Sequence, residues 1–303
     1  MDKEIKNEEK PASEKQKKHF LSFLRDSHKI KLLIRWIIVI LIVGLAVLTV
    51  VRLCDNAKFV VTFYEIEDKK INNRIRIVQL SDLHLKEYGE NNSVLVNEII
   101  RLKPDIIAMT GDMVDMNETD YSVVVELCRQ LVNVAPVYFC YGNHEKEVIR
   151  VKQTSTVNVD LENLGVHVLH NKYVTVNVNG NLIDIGGLSA NPNALDADYT
   201  QRFWQRYLQT TNYRLLLVHY PQYFFNDGAL LNCDIDMALC GHLHGGIVVI
   251  PFIGGLYHSV SGFFPQFTDG VHKVNDTWVV VSRGIGGKIR VNNPPELVVV
   301  DIY

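Results

Sequence analysis

From residue 72 onward two hydrophobic patterns alternate along the chain. Short β-branched runs stop abruptly at Asp, Asn or His beside Gly, and between them apolar residues recur every three or four positions. Arg74–Leu80 (RIRIVQL) runs into Ser81-Asp82-Leu83-His84, Asp105–Thr110 (DIIAMT) into Gly111-Asp112, and Val137–Tyr141 (VYFCY) into Gly142-Asn143-His144-Glu145. Helical patterns over Val94–Leu102 and Tyr121–Val132 lie between them, and Pro104 and Pro136 mark each restart. This order predicts βαβαβ organisation. Val166–Leu169, Val174–Val178 and Leu182–Leu188 read as further short strands, the last two joined by Asn179-Gly180-Asn181. Arg202–Leu208 reads as a helix with Phe203, Trp204 and Tyr207 on its apolar side. Arg214–Val218 leads to His219, Ile235–Leu239 to Gly241-His242-Leu243-His244, and Thr277–Val281 and Leu297–Ile302 close the chain as apolar strands. The pattern predicts an α/β domain over 72–303 with a two-layered or sandwiched β core flanked by helices.

The first 53 residues follow another rule. Residues 1–31 are rich in charge and lack a face to bury, which predicts a solvated tail. Residues 32–53 contain an uncharged run, Trp36–Val51. With Leu32, Leu33 and Ile34 it reaches the ~17–25 residues of a transmembrane helix, provided Arg35 extends its stem toward the headgroups. A buried core helix or a cleaved signal are the rivals. The long segment before the run and the lack of an A-x-A pattern after it favour an uncleaved anchor. Lys15, Lys17, Lys18, Arg25, Lys29, Lys31 and Arg35 precede the run, against Arg52 and Lys58 close behind it. That asymmetry predicts a single-pass protein of the cell membrane with a cytoplasmic N-terminus, a linker over 54–71 and an extracytoplasmic domain.

Composition changes this picture little. The chain has 303 residues, 47% hydrophobic and 21% charged, which excludes intrinsic disorder. Lys+Arg 31 against Asp+Glu 34 offers no excess positive charge, so no nucleic-acid partner is evident. Five cysteines without a CxxC pair exclude a disulfide scaffold and a zinc ribbon, and their apolar surroundings predict buried thiols.

The strand ends carry the chemistry. A core fixes the backbone at such ends while the loop beyond faces a cleft, so five ends bearing Asp, His or Asn predict one polar rim. Gly-His-x-His arises by chance in roughly 0.02 to 0.03 copies in a chain with 19 Gly and 11 His, and its place after an apolar strand adds weight. Carboxylates, an amide oxygen and imidazoles without thiolate form a mixed N/O set suited to Mn, Fe or Zn. Two divalent ions outweigh Asp82, Asp112 and a bridging hydroxide and leave about +1 to receive a phosphoester.

In order and spacing, Asp82-Leu-His84, Gly111-Asp112, Gly142-Asn143-His144-Glu145, His219 and Gly241-His242-Leu-His244 resemble the calcineurin-like metallophosphoesterases. SDLHL (81–85), KPDIIAMTGDMVD (103–115), GHLHGG (241–246), SRGIGG (282–287) and NNPPELVVV (292–300) look like the membrane-linked bacterial branch called the YkuE type. The resemblance spans about 72–303. It implies a four-layer α/β/β/α sandwich of two mixed sheets, and a metal-dependent phosphoesterase using two divalent ions (Mn, Zn or Fe) and a metal-bridging hydroxide. It further implies Asp82, His84 and His244 on one ion, Asn143, His219 and His242 on the other, and Asp112 bridging. His144 is then catalytic without being a ligand, either giving a proton to the leaving oxygen or stabilising charge at phosphorus.

Other positions stay open. Arg283 could clamp substrate phosphate or belong to a structural turn. His258 and His272 either touch substrate or serve structure, and the same choice holds for Phe252, Ile253, Phe263, Phe264 and Phe267, which could contact lipid or pack under a long loop. The substrate class divides between a lipid-linked or envelope phosphoester and a general nucleotide or phosphodiester. A metal-stabilised protein-binding module is the rival outside enzymology.

Overall fold

Alternation sorts the strand residues onto two buried faces. In β2 (Ile75–Leu80), Ile75 and Ile77 join one apolar cluster while Val78 and Leu80 join another. The computed structural model describes residues 13–55, 58–151, 156–189, 198–225, 228–258, 261–287 and 290–303. One six-stranded sheet takes β1 (Val60–Ile66), β2, β3 (Ile106–Met109), β4 (Val137–Phe139), β5 (His167–Val168) and β16 (Glu296–Ile302), in the order β1-β16-β2-β3-β4-β5. The other takes β6 (Lys172–Val178), β7 (Asn181–Leu188), β8 (Tyr213–Val218), β9 (Met237–Cys240), β14 (Gly270–Val274) and β15 (Thr277–Val281), in the order β14-β15-β9-β8-β7-β6. Both are mixed: β2, β3, β4 and β5 run parallel, as do β7, β8, β9 and β15, while β16 is antiparallel to β2 and β6 to β7.

Three apolar layers separate four structural ones. Ile77, Ala108, Leu215, Leu217, Leu239 and Val300 fill the space between the sheets. Val78, Ile107 and Val299 face outward against Leu95 and Ile99 of α2 (Ser93–Leu102), Leu127 of α3 (Ser122–Leu131) and Leu161 of α5 (Val157–Asn163). Leu216 and Val218, on the outer face of the second sheet, cover Phe203 and Tyr207 of α6 (Asp198–Leu208). This is an α/β/β/α sandwich. Between β9 and β14 the chain adds two short hairpins, β10 (Val249–Ile250) with β11 (Gly254–Gly255) and β12 (Tyr257–His258) with β13 (Gly262–Phe263).

Two expectations about the N-terminal part change. The stretch expected as a linker, 54–71, carries β1, which pairs in parallel with β16 from Val60↔Glu296 to Ile66↔Ile302. It lies at the sheet edge with most positions exposed or half-buried, so its alternation is too weak to read as a strand. Upstream, α1 (Ser13–Asp55) is one long helix, and the chain divides into compact units at Leu53/Cys54. Among the described residues no helix is long and apolar enough to cross a membrane. The expected anchor, 32–53, continues past Ala46 into positions whose side chains lie outside those described. The apolar side chains from Ile30 to Leu45 are nonetheless exposed all round the helix.

Candidate metal centre

Each polar strand end becomes one wall of a common rim. Asp82 and His84 follow β2, Asp112 follows β3, and Asn143 and His144 open the single-turn helix α4 (Asn143–Lys146) after β4. His219 follows β8, and His242 and His244 follow β9. Asp82, His84, Asp112, His242 and His244 all have positive φ, between 48° and 73°. Non-glycine residues seldom occupy this region, and the surrounding structure must over-determine each to hold it.

Among the described residues three groups of ligand-type atoms result, one of them His84, Asp115 and His144, and the other two hold expected ligands. Asp82, His84 and His244 bring one ligand atom each to within 4.8 Å of one another, and so do Asp112, His219 and His242. His244 Nε2 lies 3.6 Å from Asp82 Oδ1 and 3.3 Å from His84 Nε2, and His219 Nε2 lies 3.1 Å from Asp112 Oδ2. Asp82 joins the groups, since His219 Nε2 is also 4.0 Å from its Oδ1. Asn143 Oδ1 is buried without a hydrogen-bond partner, and His219 Nε2 faces only the carboxylates of Asp112 and Asp82. A buried polar atom left unbonded is costly, so an orphaned amide oxygen on a rim of carboxylates and imidazoles fits a cation-binding role.

The electrostatics agree. Burial works against ionising Asp82, yet His244 and His219 hold its carboxyl below the usual range. For Asp112 the same opposition is decided by His219, again downward. Burial pushes His242 down to about 3 and His244 to about 4, and lowers His84 as well. Neutral imidazole beside ionised carboxylate is the protonation state in which both bind metal. His219 differs: burial opposes its charge, but adjacent Asp112 pushes it up to about 9.

A second ring of contacts aims these groups. Thr110 O lies 2.8 Å from His219 Nδ1, turning Nε2 toward Asp112. The His242 main-chain N–H donates to both oxygens of Asp82 at 3.1 Å. Glu145, whose importance spacing alone did not reveal, is wholly buried and accepts from the N–H groups of Asp112, Met113, Val114 and Gly142. One carboxylate thus ties the Asp112 loop to the start of α4. Glycine is required beside both carboxylates: a Cβ at Gly142 would lie 2.1 Å from Asp112 Oδ1, and one at Gly241 2.4 Å from Asp82 Oδ2.

His144 stands next to this set. Its Nε2 is 3.8 Å from Asp112 Oδ2, and its ring meets His84 edge-on. The Met116 N–H donates to Nδ1 at 3.0 Å, which leaves the proton of the neutral ring on Nε2. His144 also lines a cavity of about 510 Å³ together with His84 and His244.

Other expectations move. Arg283 is outside the lining of this cavity; its guanidinium pairs with Glu296 at 2.8 Å and it belongs to the structural framework. Arg290 and Lys86 line the cavity instead, the former following the same SRGIGG segment. His258 is buried edge-on against His242 and bonded to its main chain, behind a ligand-type residue. His272 packs against Phe225 and Phe267. Phe267 therefore sits in the fold, whereas Phe252, Ile253, Phe263 and Phe264 are exposed.

The chain is similar to known proteins. The sequence model of the calcineurin-like phosphoesterases matches residues 75–246. The uncharacterized metallophosphoesterase YkuE of Bacillus subtilis is 31% identical over 70% of this chain and 72% of its own length. The phosphodiesterase YaeI of Escherichia coli is 26% identical over 75% of this chain and 82% of its own length. Among solved structures, the phosphopantetheinyl hydrolase of Mycobacterium tuberculosis is 13% identical with a TM-score of 0.45, covering 71% of this chain and 90% of that one. A family model spanning more than half the chain, over a rim of clustered carboxylates and histidines, makes this protein a member of the calcineurin-like phosphoesterase family of metal-dependent hydrolases.

Proposed function

We propose that the protein is a dinuclear-metal phosphoesterase that hydrolyses a phosphomonoester or phosphodiester. Asp82, His84 and His244 hold one divalent ion (Mn, Zn or Fe), Asn143, His219 and His242 hold the other, and Asp112 bridges them. The carrying observation is the pair of ligand groups on one buried rim with Asp82 and Asp112 between them. Bound there, the ions supply Lewis acidity and acidify the attacking water. The chain's own groups do the rest. Thr110 and the His242 N–H orient the ligands, and Glu145 fixes the distance between the Asp112 loop and α4. His144, with Nδ1 occupied by the Met116 N–H, presents Nε2–H to the cavity as a hydrogen-bond donor for charge developing on the phosphoryl oxygens.

A glutamine side chain retains a donor where alanine has none. On bis-p-nitrophenyl phosphate with Mn, His144→Ala therefore costs about 10²–10³-fold in kcat and His144→Gln less. Wild type matching both His144→Ala and Asp112→Ala at full metal occupancy, on every phosphoester tried, sinks the enzyme reading and leaves the protein-binding module.

The exposed apolar positions support a membrane location. Ile30 to Leu45 on α1 present apolar side chains in every direction, which water does not favour. Residues 32–53 are read as a single-pass anchor in the cell membrane, with the N-terminus cytoplasmic and the domain outside. Phe252, Ile253, Phe263 and Phe264 lie in the two-hairpin segment, whose sequence over 247–268 has no Asp, Glu, Lys or Arg, which favours a lipid-linked or envelope phosphoester over a soluble nucleotide. Protease treatment of intact cells tests the orientation: cleavage of the domain only after lysis contradicts it.

A further inference from the structure

Just past His244 the chain makes a turn that its residue type resists. Ile247 has φ 59° and ψ −60°, and the Val248 N–H donates to the Gly246 carbonyl at 2.6 Å. This is the γ-turn of the rare, strained hand. Among the described residues Ile247 is the one β-branched residue with positive φ. Branching at Cβ makes a side chain especially unsuited to that region, which glycine enters freely. The five ligand-type residues at positive φ carry metal-binding atoms that account for their strain, and Ile247 has no such atom.

Neighbouring groups hold the turn closed. The Ile247 N–H donates to His244 O at 3.1 Å, and the Ile247 carbonyl accepts from the Val291 N–H at 3.2 Å and from Asn293 Nδ2 at 3.3 Å. Asn293, 2% exposed, also donates through Nδ2 to His244 O at 2.6 Å. One buried amide thus ties Ile247 to a ligand-type histidine. All of these bonds engage the main chain of residue 247, so glycine there would keep them without the strain. What isoleucine adds is its side chain.

That side chain does not serve the core. Ile247 is half-buried, and it neither belongs to the three apolar clusters nor packs against them. It lines instead the cavity of about 510 Å³ that His84, His144 and His244 also line. Met116 is the other apolar side chain on that lining, and it too stands outside the clusters. Met116 comes from the loop after β3 and Ile247 from the segment after β9, one from each sheet. A hydrocarbon group entering the cavity takes apolar surface of both residues out of water, and a polar group brings no such gain.

We propose that Ile247 is a specificity-determining residue, forming with Met116 an apolar subsite for a hydrocarbon ester arm of the substrate. The substrate class is a phosphoester with an alkyl arm. The inference rests on the phosphoesterase reading and narrows its substrate.

The test uses the Mn-loaded full chain in detergent with two diesters, p-nitrophenyl hexyl phosphate and p-nitrophenyl methyl phosphate. One detergent concentration throughout makes partition into micelles cancel between wild type and variants. The quantity read is the ratio of kcat/KM for the hexyl ester to that for the methyl ester, with melting temperature measured alongside. Loss of metal or of folded protein lowers both rates and leaves the ratio unchanged. Wild type prefers the hexyl ester, and Ile247→Gly and Ile247→Asn each lower the ratio at least about threefold because less apolar surface is covered. The melting temperature of Ile247→Gly stays the same or rises, since the turn is relieved. A ratio lowered less than about threefold in either variant overturns the subsite, as does wild type without a preference for the hexyl ester. A lower melting temperature in Ile247→Gly assigns the side chain to packing and overturns it too. Wild type that hydrolyses neither ester overturns the phosphoesterase reading beneath it.

Discussion

The two halves of the metal centre are braced in different ways. The half from β2, β3 and β4 contributes Asp82, His84, Asp112 and Asn143, and it is tied internally by Glu145, which joins the Asp112 loop to Gly142 through four main-chain N–H groups. The half from β8 and β9 contributes only imidazoles, and the two halves hold each other across the sheets: Thr110 O orients the His219 ring, and the His242 main-chain N–H in turn holds the carboxylate of Asp82. Even the frame between them crosses the interface, since the Gln79 side chain donates to both Thr110 Oγ1 and Cys240 O. The difference teaches that the Asp112 side of the first half is shaped by its own loops, while Asp82 and the second half are set by the packing of one sheet on the other.

Substitutions can break this comparison. The largest effect belongs to Asp112→Ala, which removes the group proposed to bridge two ions: turnover of bis-p-nitrophenyl phosphate falls by about 10³-fold or more and bound metal falls below two per chain by elemental analysis. Next comes Glu145→Ala, which leaves four buried donors without their acceptor and costs about 3 kcal/mol or more in urea unfolding. If His219→Ala destabilises the metal-free domain more than Glu145→Ala, the first half is not the self-braced one. Gly142→Ala drives a methyl group into Asp112 and lowers both stability and metal content, whereas Gly165→Ala, where a Cβ meets nothing within 4 Å, tests the backbone penalty alone. His258→Ala is milder: it loosens His242 and weakens metal binding by about tenfold, read by titration with Mn.

The smallest effect concerns the thiols packed behind the sheets. Burial pushes Cys128 up to about 12 and raises Cys140 and Cys240 too, so at pH 8.5 these remain protonated and unreactive. Iodoacetamide at that pH labels half-buried Cys233 before Cys128 in the native protein, and peptide mapping by mass spectrometry reads the order. Early labelling of Cys128 would show that the layer between α3 and the first sheet opens readily.

Much of this was legible beforehand, for identifiable reasons. The strands leading to Asp82, Asp112, Asn143, His219 and His242 are buried on both faces and read as largely apolar runs, so their polar ends stand out. β1 did not stand out, because an edge strand half in water has no run to recognise. The seven ligand-type residues could be listed in order, but Glu145 looked like any acidic residue in a helix start until its four donors were seen. Arg283 and Arg290 show the same limit. Both flank a glycine-rich segment, and only packing reveals that one is neutralised by Glu296 while the other faces the cavity.

By itself, the sequence determined which chemistry is available: carboxylates, an amide and imidazoles at the ends of apolar strands, and an apolar N-terminal run unlike the rest. Those are local properties, carried by residue type and by the period of burial along each strand. Tertiary structure alone decided which atoms meet. Left-handed backbone at five of the ligand-type positions, the Asp82–His242 and Thr110–His219 contacts, and the placing of Arg290 rather than Arg283 at the cavity all arise from residues distant in the chain. The physical reason is that orientation at a site costs strain and desolvation that no single segment can sustain, so it exists only where two sheets, packed face to face, impose it on each other.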